Sequence, residues 1–135
     1  MPDELAGPAA RARWLGEVDP RGAAAQHATL RDVFRAEMAA WPSDELYENL
    51  YWCAFLLYLV GDPADVPMMW QAKHIDFDSA CGFDVQFMLG AGPQQTLDYL
   101  RAHGHDDIAR ELSAYPELAD DLDEWEAFRR GYFYD

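Results

Sequence analysis

The part of the chain richest in side chains that bind metals or act as nucleophiles is residues 74–84, HIDFDSACGFD. Histidine, aspartate and cysteine can all bind a metal ion or move a proton. An EF-hand that began at Asp76 would need glycine where Cys81 stands and glutamate where Phe87 stands. A zinc site needs about four ligands, and His74, Cys81 and one aspartate supply too few. We therefore predict no metal and no cofactor here.

Two interpretations of residues 74–84 remain open. In the first, the stretch joins two helices, Asp76 or Asp78 caps the second helix, and Phe77 packs over the joint. In the second, the stretch is the centre of a metal-dependent or thiol enzyme. The sequence favours the joint, because it shows no oxyanion hole and no group that orients the histidine. The residues assigned to a groove or to this alternative site are His74, Asp76, Asp78, Cys81, Asp84 and Gln86.

Two other motifs have weaker signals. His103 and His105 in AHGHDD form a His-x-His pair, but the coordination set is incomplete. The glycines in LGAGPQQT have neither the lysine nor the spacing of a phosphate-binding loop. A helix end followed by a new helix start explains both motifs.

An acidic run covers residues 106–126, where nine acidic side chains accompany one base, Arg110. Such a run is usually a solvated helix face, but it also suits a surface that binds a basic protein, and both interpretations stay open. In the second, carboxylates steer the partner and an aromatic side chain anchors it. The candidate partner-binding residues are Asp44, Glu45, Glu48, Asp106, Asp107, Glu117, Asp120, Asp121, Asp123, Glu124 and Trp125.

The overall charge narrows the classes of partner. The 135 residues fit one domain and have a net charge of −15 at pH 7. This charge repels phosphate backbones and anionic lipids, so we expect a basic protein partner, no nucleic acid and no membrane. Cys53 lies in an apolar run, and no leader segment is visible. We therefore expect both cysteines to be reduced and the protein to be cytoplasmic.

Proline, glycine and aspartate divide the chain into seven or eight short helices, and no segment has the pattern of a strand. The last helix has a clear apolar stripe that contains Trp125, Phe128 and Tyr132, and two roles stay open for its aromatic end: packing on the body or anchoring a partner. The predicted helices cover approximately residues 8–17, 21–41, 43–60, 62–74, 79–89, 93–103, 108–114 and 116–132.

One helix connection resembles the inner turn of HEAT-like repeats. In LVGDPADVPMM, residues 59–69, Gly61 ends a helix, an Asp-Pro turn follows, and Val66-Pro67 begins the next helix. A second copy near Gly90 keeps the glycine and a proline. The resemblance implies an all-α fold, a small HEAT-like array of antiparallel helical hairpins. We expect a single domain over residues 1–135, in which residues 1–20 could be a loosely attached segment.

The same resemblance carries an expectation about function. HEAT-like proteins are mostly binding scaffolds, and a small acidic helical protein is also similar to the immunity proteins with which bacteria neutralise toxins. Together these resemblances imply a non-enzymatic protein-binding module, an acidic inhibitor that occludes a basic toxin or another basic protein. An enzyme centred on residues 74–84 and a scaffold subunit of a larger assembly remain as alternatives.

Overall fold

The computed structural model describes residues 1–42 and 46–134, and in these residues the chain forms eight α-helices and no strand. The predicted all-α fold is therefore confirmed. Short 3-10 turns occupy Asp3–Leu5, Pro20–Gln26, Pro63–Asp65, Val85–Leu89 and Pro116–Ala119. The helices are α1 (Pro8–Glu17), α2 (His27–Ala39), α3 (Glu48–Val60), α4 (Val66–Lys73), α5 (Phe77–Gly82), α6 (Pro93–Ala102), α7 (Asp106–Ser113) and α8 (Leu122–Tyr134).

Both Asp-Pro pairs act as caps, as the sequence predicts, but each starts a 3-10 turn that precedes an α-helix. The Asp19 carboxylate accepts a hydrogen bond from the backbone N–H of Arg21 at 3.0 Å, and Asp62 accepts one from Ala64 at 2.9 Å. Non-helical dihedral angles at Gly22 produce a kink inside the first of these turns, Pro20–Gln26. Pro67 is tolerated because it stands in the first turn of α4, where its missing N–H has no helical acceptor.

The predicted helix over residues 79–89 is divided in the structure. Helix α5 ends at Gly82, and Phe83 and Asp84 have extended backbone before the turn Val85–Leu89. All five residues of that turn are buried. The helical pattern of the sequence therefore does not continue through Phe83 and Asp84.

Helix α3 is the centre of the core, and its residues from Cys53 to Leu57 are at most 1% exposed. Gly61 ends α3 in the left-handed conformation with φ of 75°. A Cβ atom at Gly90 would lie 2.1 Å from the carbonyl oxygen of Tyr58, so the two glycine-containing turns of the apparent repeat touch through their backbones. Assignment to a HEAT-like array stays a prediction. None of the helices in residues 1–42 and 46–134 is both apolar enough and long enough to cross a membrane.

Residues of the N-terminal segment pack against the core. Arg11 on α1 is 3% exposed and donates a hydrogen bond from Nε to the buried carboxylate of Glu37 at 2.6 Å. Asn49 on α3 donates a second one to the same oxygen at 3.0 Å. Leu5 and Leu15 are also buried. This network therefore joins α1, α2 and α3.

Candidate functional site

Asp76 forms the joint between α4 and α5 that the sequence predicts. Its carboxylate accepts a hydrogen bond from the backbone N–H of Ser79 at 2.8 Å, and the Ser79 hydroxyl accepts one from the N–H of Asp76 at 3.0 Å. The capping prediction is thus confirmed, with Asp76 rather than Asp78 as the cap. Trp41 donates a further hydrogen bond from its indole to Asp76 at 2.8 Å. The Ser79 N–H, followed by the Trp41 indole, lowers the pKa of Asp76.

The predicted packing of Phe77 over this joint is wrong, because its side chain is 81% exposed. Lys73 closes the joint instead. Its ammonium group donates hydrogen bonds to the carbonyl oxygens of Ala80 at 2.7 Å and Phe83 at 2.6 Å, beside the C-terminus of α5. The pKa of Lys73 is lowered by burial. A buried cation thus satisfies carbonyl groups that the short helix leaves unpaired.

The other residues of the alternative site have separate partners. His74 Nδ1 lies 2.7 Å from the carbonyl oxygen of Trp70 on its own helix. Asp84 accepts hydrogen bonds from Arg129, the shortest at 2.7 Å, and Gln86 donates one to Asp120 at 2.8 Å. Over the part of the chain that the structure describes, no three histidine, cysteine, aspartate or glutamate side chains lie close enough to hold a metal ion.

The two cysteines are both free, as expected, but they have opposite environments. Cys53 is fully buried and donates a hydrogen bond to the carbonyl oxygen of Leu30 at 3.2 Å. Burial raises the pKa of its thiol well above the ordinary value. Cys81 is exposed. Cys53 is therefore a core residue, whereas Cys81 is open to solvent.

The acidic run covers α7 and the start of α8, and most of its carboxylates face solvent. Asp106 and Asp107 lie in the first turn of α7, directly after His105 at the cap position. Asp121 accepts hydrogen bonds from the N–H groups of Asp123 at 3.0 Å and Glu124 at 3.2 Å. Candidates Asp44 and Glu45 lie outside the described residues. Glu48 lies in the first turn of α3, and the remaining candidates Glu117, Asp120 and Trp125 lie in the segment that leads into α8 or on that helix.

The proposed anchor Trp125 packs against the protein itself. Its ring centroid lies 4.9 Å from that of Tyr58 and 5.2 Å from that of Phe87, and its indole donates a hydrogen bond to Asp84 at 3.0 Å. Phe128 and Tyr132, on the same stripe, are 61% and 52% exposed. The apolar stripe of α8 therefore has an inward part and an outward part.

The exposed part of α8 forms one wall of an open groove with a volume of about 740 Å³. We call this feature the aromatic groove. Its other walls come from the end of the α2 segment, the start of α3 and helix α5. The lining residues are Trp41, Pro42, Tyr47, Glu48, Tyr51, Asp78, Cys81, Gly82, Phe128, Arg129 and Tyr132.

Edge-to-face contacts hold the aromatic rings of the groove in place. The ring of Trp41 lies 5.8 Å from that of Tyr51 and 6.5 Å from that of Tyr47, and both pairs are T-shaped. A Cβ atom at Gly82 would lie 2.3 Å from the Tyr51 hydroxyl. Glycine is thus required where α5 crosses Tyr51, and the position of this phenol is fixed.

The groove has a negative electrostatic potential. The pKa of Tyr51 is raised to about 12, first by burial and then by the carboxylates of Glu48, Asp76 and Asp78. The pKa of Tyr132 is also raised, by desolvation, then by a hydrogen bond with the Glu48 side chain and by the charge of Glu48. Glu48 Oε2 is buried and has no hydrogen-bond partner among the described residues. The carboxylates of Glu48, Asp76 and Asp78 therefore all disfavour a further negative charge in the groove.

Arg129 is the base that lines the groove, and its charge is neutralised by the protein. Both Nε and Nη2 of its guanidinium donate to Asp84 Oδ2, at 3.0 Å and 2.7 Å. The guanidinium carbon lies 5.1 Å from the ring centroid of Tyr132 and 5.6 Å from that of Phe128. The cation is thus paired with a carboxylate and in contact with aromatic rings, and within the described part of the chain no base forms an ion pair with Glu48.

Asp78 and Cys81, assigned from the sequence to a groove or an alternative site, both line this groove, but its aromatic walls were not predicted, although one signal for them was present. Tyr47 and Tyr51 are four residues apart, as are Phe128 and Tyr132, so each pair lies on one face of a helical segment. The pattern does not show that the two faces meet. Comparison with known proteins adds no relative to this description: no family model, no curated protein and no solved structure matches the chain.

Proposed function

We propose that the protein is a non-enzymatic protein-binding module that binds a basic protein and occludes its surface. In its specific form, the proposal is an immunity-type inhibitor of a basic bacterial toxin. The all-α fold contributes to this proposal only as a scaffold for the binding surface, because such a fold does not by itself indicate an activity.

The exposed, unpaired acidic face supports this proposal most strongly. Seven of the nine carboxylates in residues 106–126 are exposed. Within the described residues, Glu126 alone among the nine forms an ion pair with a base, Arg130 at 3.1 Å. Unpaired surface carboxylates repel one another and lower stability, so their density favours a role in binding. A basic surface would neutralise this face and would be steered to it.

The experiment captures the partner and then measures the salt dependence of its binding. Tagged protein is used as bait in a lysate of its source cells at low and moderate salt, and the captured protein is purified. We expect a basic protein in one-to-one stoichiometry, whose association rate falls steeply as salt is added. Capture of no partner, or an association rate that does not change with salt, would contradict the proposal.

A matched pair of variants tests whether the acidic face is responsible. The variant D107N/E111Q/E124Q removes three exposed charges from that face, and D3N/E4Q/E17Q removes three exposed charges from the N-terminal segment. We expect the first variant to slow association about tenfold and the second to change it little, because steering depends on local charge. Equal effects would mean that only total charge matters, and the acidic face would lose its assigned role.

A further inference from the structure

We propose that the aromatic groove binds an arginine side chain of a basic protein, with the guanidinium placed between aromatic rings and paired with the Glu48 carboxylate. The inference rests on the proposed function only in assigning this arginine to a protein partner. The groove is distinct from the acidic face of residues 106–126, and it makes a different contribution. The acidic face steers the partner, whereas the groove receives an anchor.

The size of the groove suits a side chain together with the residues beside it. Its volume of about 740 Å³ lies within the range of about 300–1,000 Å³ that is typical of ligand sites. Three of its lining rings, those of Tyr47, Phe128 and Tyr132, are 44%, 61% and 52% exposed. These exposed rings are held in place by their neighbours before a partner binds. Binding therefore costs little further conformational entropy of the rings, which favours burial of a partner group between them.

The charge of the groove selects a cation. Glu48 Oε2 is buried and has no hydrogen-bond partner among residues 1–42 and 46–134, and Asp78 adds a second negative charge on the lining. Arg129, whose charge Asp84 balances, does not offset them. A neutral apolar occupant would leave Glu48 Oε2 buried without a hydrogen bond, and an anion would be repelled. A cation satisfies Glu48 and is attracted to the faces of the rings.

The geometry around Arg129 indicates arginine rather than lysine. The guanidinium of Arg129 contacts the rings of Phe128 and Tyr132, and it donates two hydrogen bonds to the carboxylate of Asp84. The proposed occupant would repeat this arrangement on the other side of the same two rings, with Glu48 in the role of Asp84. Guanidinium is planar, stacks on aromatic rings and loses less hydration than ammonium when it is buried.

The test is an NMR titration of the full chain with short peptides whose ends are blocked. The peptides are Gly-Arg-Gly, the neutral analogue in which citrulline replaces arginine, and Gly-Lys-Gly. The reporter is the indole N–H of Trp41, which lines the groove and donates to Asp76. We expect the arginine peptide to shift this resonance and the citrulline peptide to bind at least about tenfold more weakly, because a charge-assisted hydrogen bond is lost.

Variants assign the binding to the groove. We expect E48Q to weaken the arginine peptide about tenfold and E4Q, which removes an exposed charge outside the groove, to leave its affinity unchanged. F128A removes an exposed aromatic ring from the α8 wall of the groove. It therefore tests that wall without creating a cavity in the core. We expect F128A also to weaken binding.

Several results would overturn the inference. These are equal affinity for the arginine and citrulline peptides, tighter binding of the lysine peptide, and a Trp41 resonance that does not move with any peptide. If a captured partner binds E48Q and F128A as tightly as the wild-type protein, the groove is not its anchor site, although the acidic face can still be. If the arginine peptide binds but no basic partner is captured, the groove assignment stands and the proposed function fails.

Discussion

Single side chains in this protein are set by neighbours that are distant in the sequence, and Tyr51 is the clearest case. Its phenol is buried against Trp41 and Gly82 and lies near three carboxylates. Each of these neighbours disfavours the charged phenolate, either by removing water or by repulsion. The neutral form of Tyr51 is therefore strongly preferred in the folded protein.

This preference predicts a loss of stability at high pH. The pKa of Tyr51 is about 12 in the folded protein, against an ordinary value of 10.0. The unfolded chain therefore releases this proton first, so the contribution of Tyr51 to stability is complete below pH 10 and is lost as the pH rises towards 12. Denaturant unfolding between these pH values, with phenolate absorbance as a second probe, measures the effect. In Y51F the free energy of unfolding should decline less over this interval, and an identical decline would contradict the assignment.

Residues 74–84 show how much of a local site the sequence can predict. The cap at Asp76 could be predicted, because a capping box needs only residues three positions apart. The partners of Lys73, Asp84 and Gln86 could not be predicted, since each depends on how separate elements pack. Asp84, for example, is bonded to Arg129 across 45 positions of the chain.

At the scale of helices and turns, glycine fixes where the elements approach one another. The sequence predicts that Gly61 ends α3 and that Gly90 lies in a break, and both predictions hold. The periodicity of apolar residues does not show how close two helix breaks lie in space, however. The contact of Gly90 with the end of α3 could therefore not be predicted. The division of the predicted helix 79–89 is a second case, because periodicity does not show the extended backbone at Phe83 and Asp84.

Replacement of Gly90 by alanine tests this contact. The new Cβ atom would lie 2.1 Å from the carbonyl oxygen of Tyr58, which belongs to a helix and cannot move alone. We expect G90A to lower the free energy of unfolding by about 2 kcal/mol, as overpacking usually does.

The control for this experiment is G22A, since a Cβ atom at Gly22 meets nothing within 4 Å. It should change the free energy of unfolding by no more than about 0.5 kcal/mol. Chemical denaturation of both variants gives the comparison. Equal stabilities of G90A and the wild-type protein would show that the two turns can separate without cost.

At the scale of the whole molecule, a buried ion pair joins the N-terminal segment to the core. Arg11 and Glu37 are 3% and 2% exposed, and Arg11 also donates to the carbonyl oxygens of Leu5 and Ala6. Removal of one partner leaves the other charge buried without compensation, which is much more costly than removal of both.

This pair predicts a large effect of R11M on folding. The variant should lose about 3 kcal/mol or more of unfolding free energy, because Glu37 would keep only its hydrogen bond from Asn49. R13M, on the same helix at an exposed position, is the matched control. The double variant R11M/E37Q should recover part of the loss. A double variant less stable than R11M would indicate that packing around Arg11, rather than charge, accounts for the effect.

The hydrogen bond from the Tyr134 hydroxyl to the carbonyl oxygen of Leu15 spans 119 positions of the chain. Beside it, Trp52 and Phe55 on α3 are covered by Phe133, with ring centroids 5.7 Å apart in both pairs. During synthesis on the ribosome, residues 1–121 exist before α8 is made, so these apolar rings are exposed to water in the nascent chain. Such a surface is prone to aggregate and is the kind that chaperones recognise. Completion of the core therefore waits for residues 122–134, and the same event supplies Phe128 and Tyr132 to the aromatic groove.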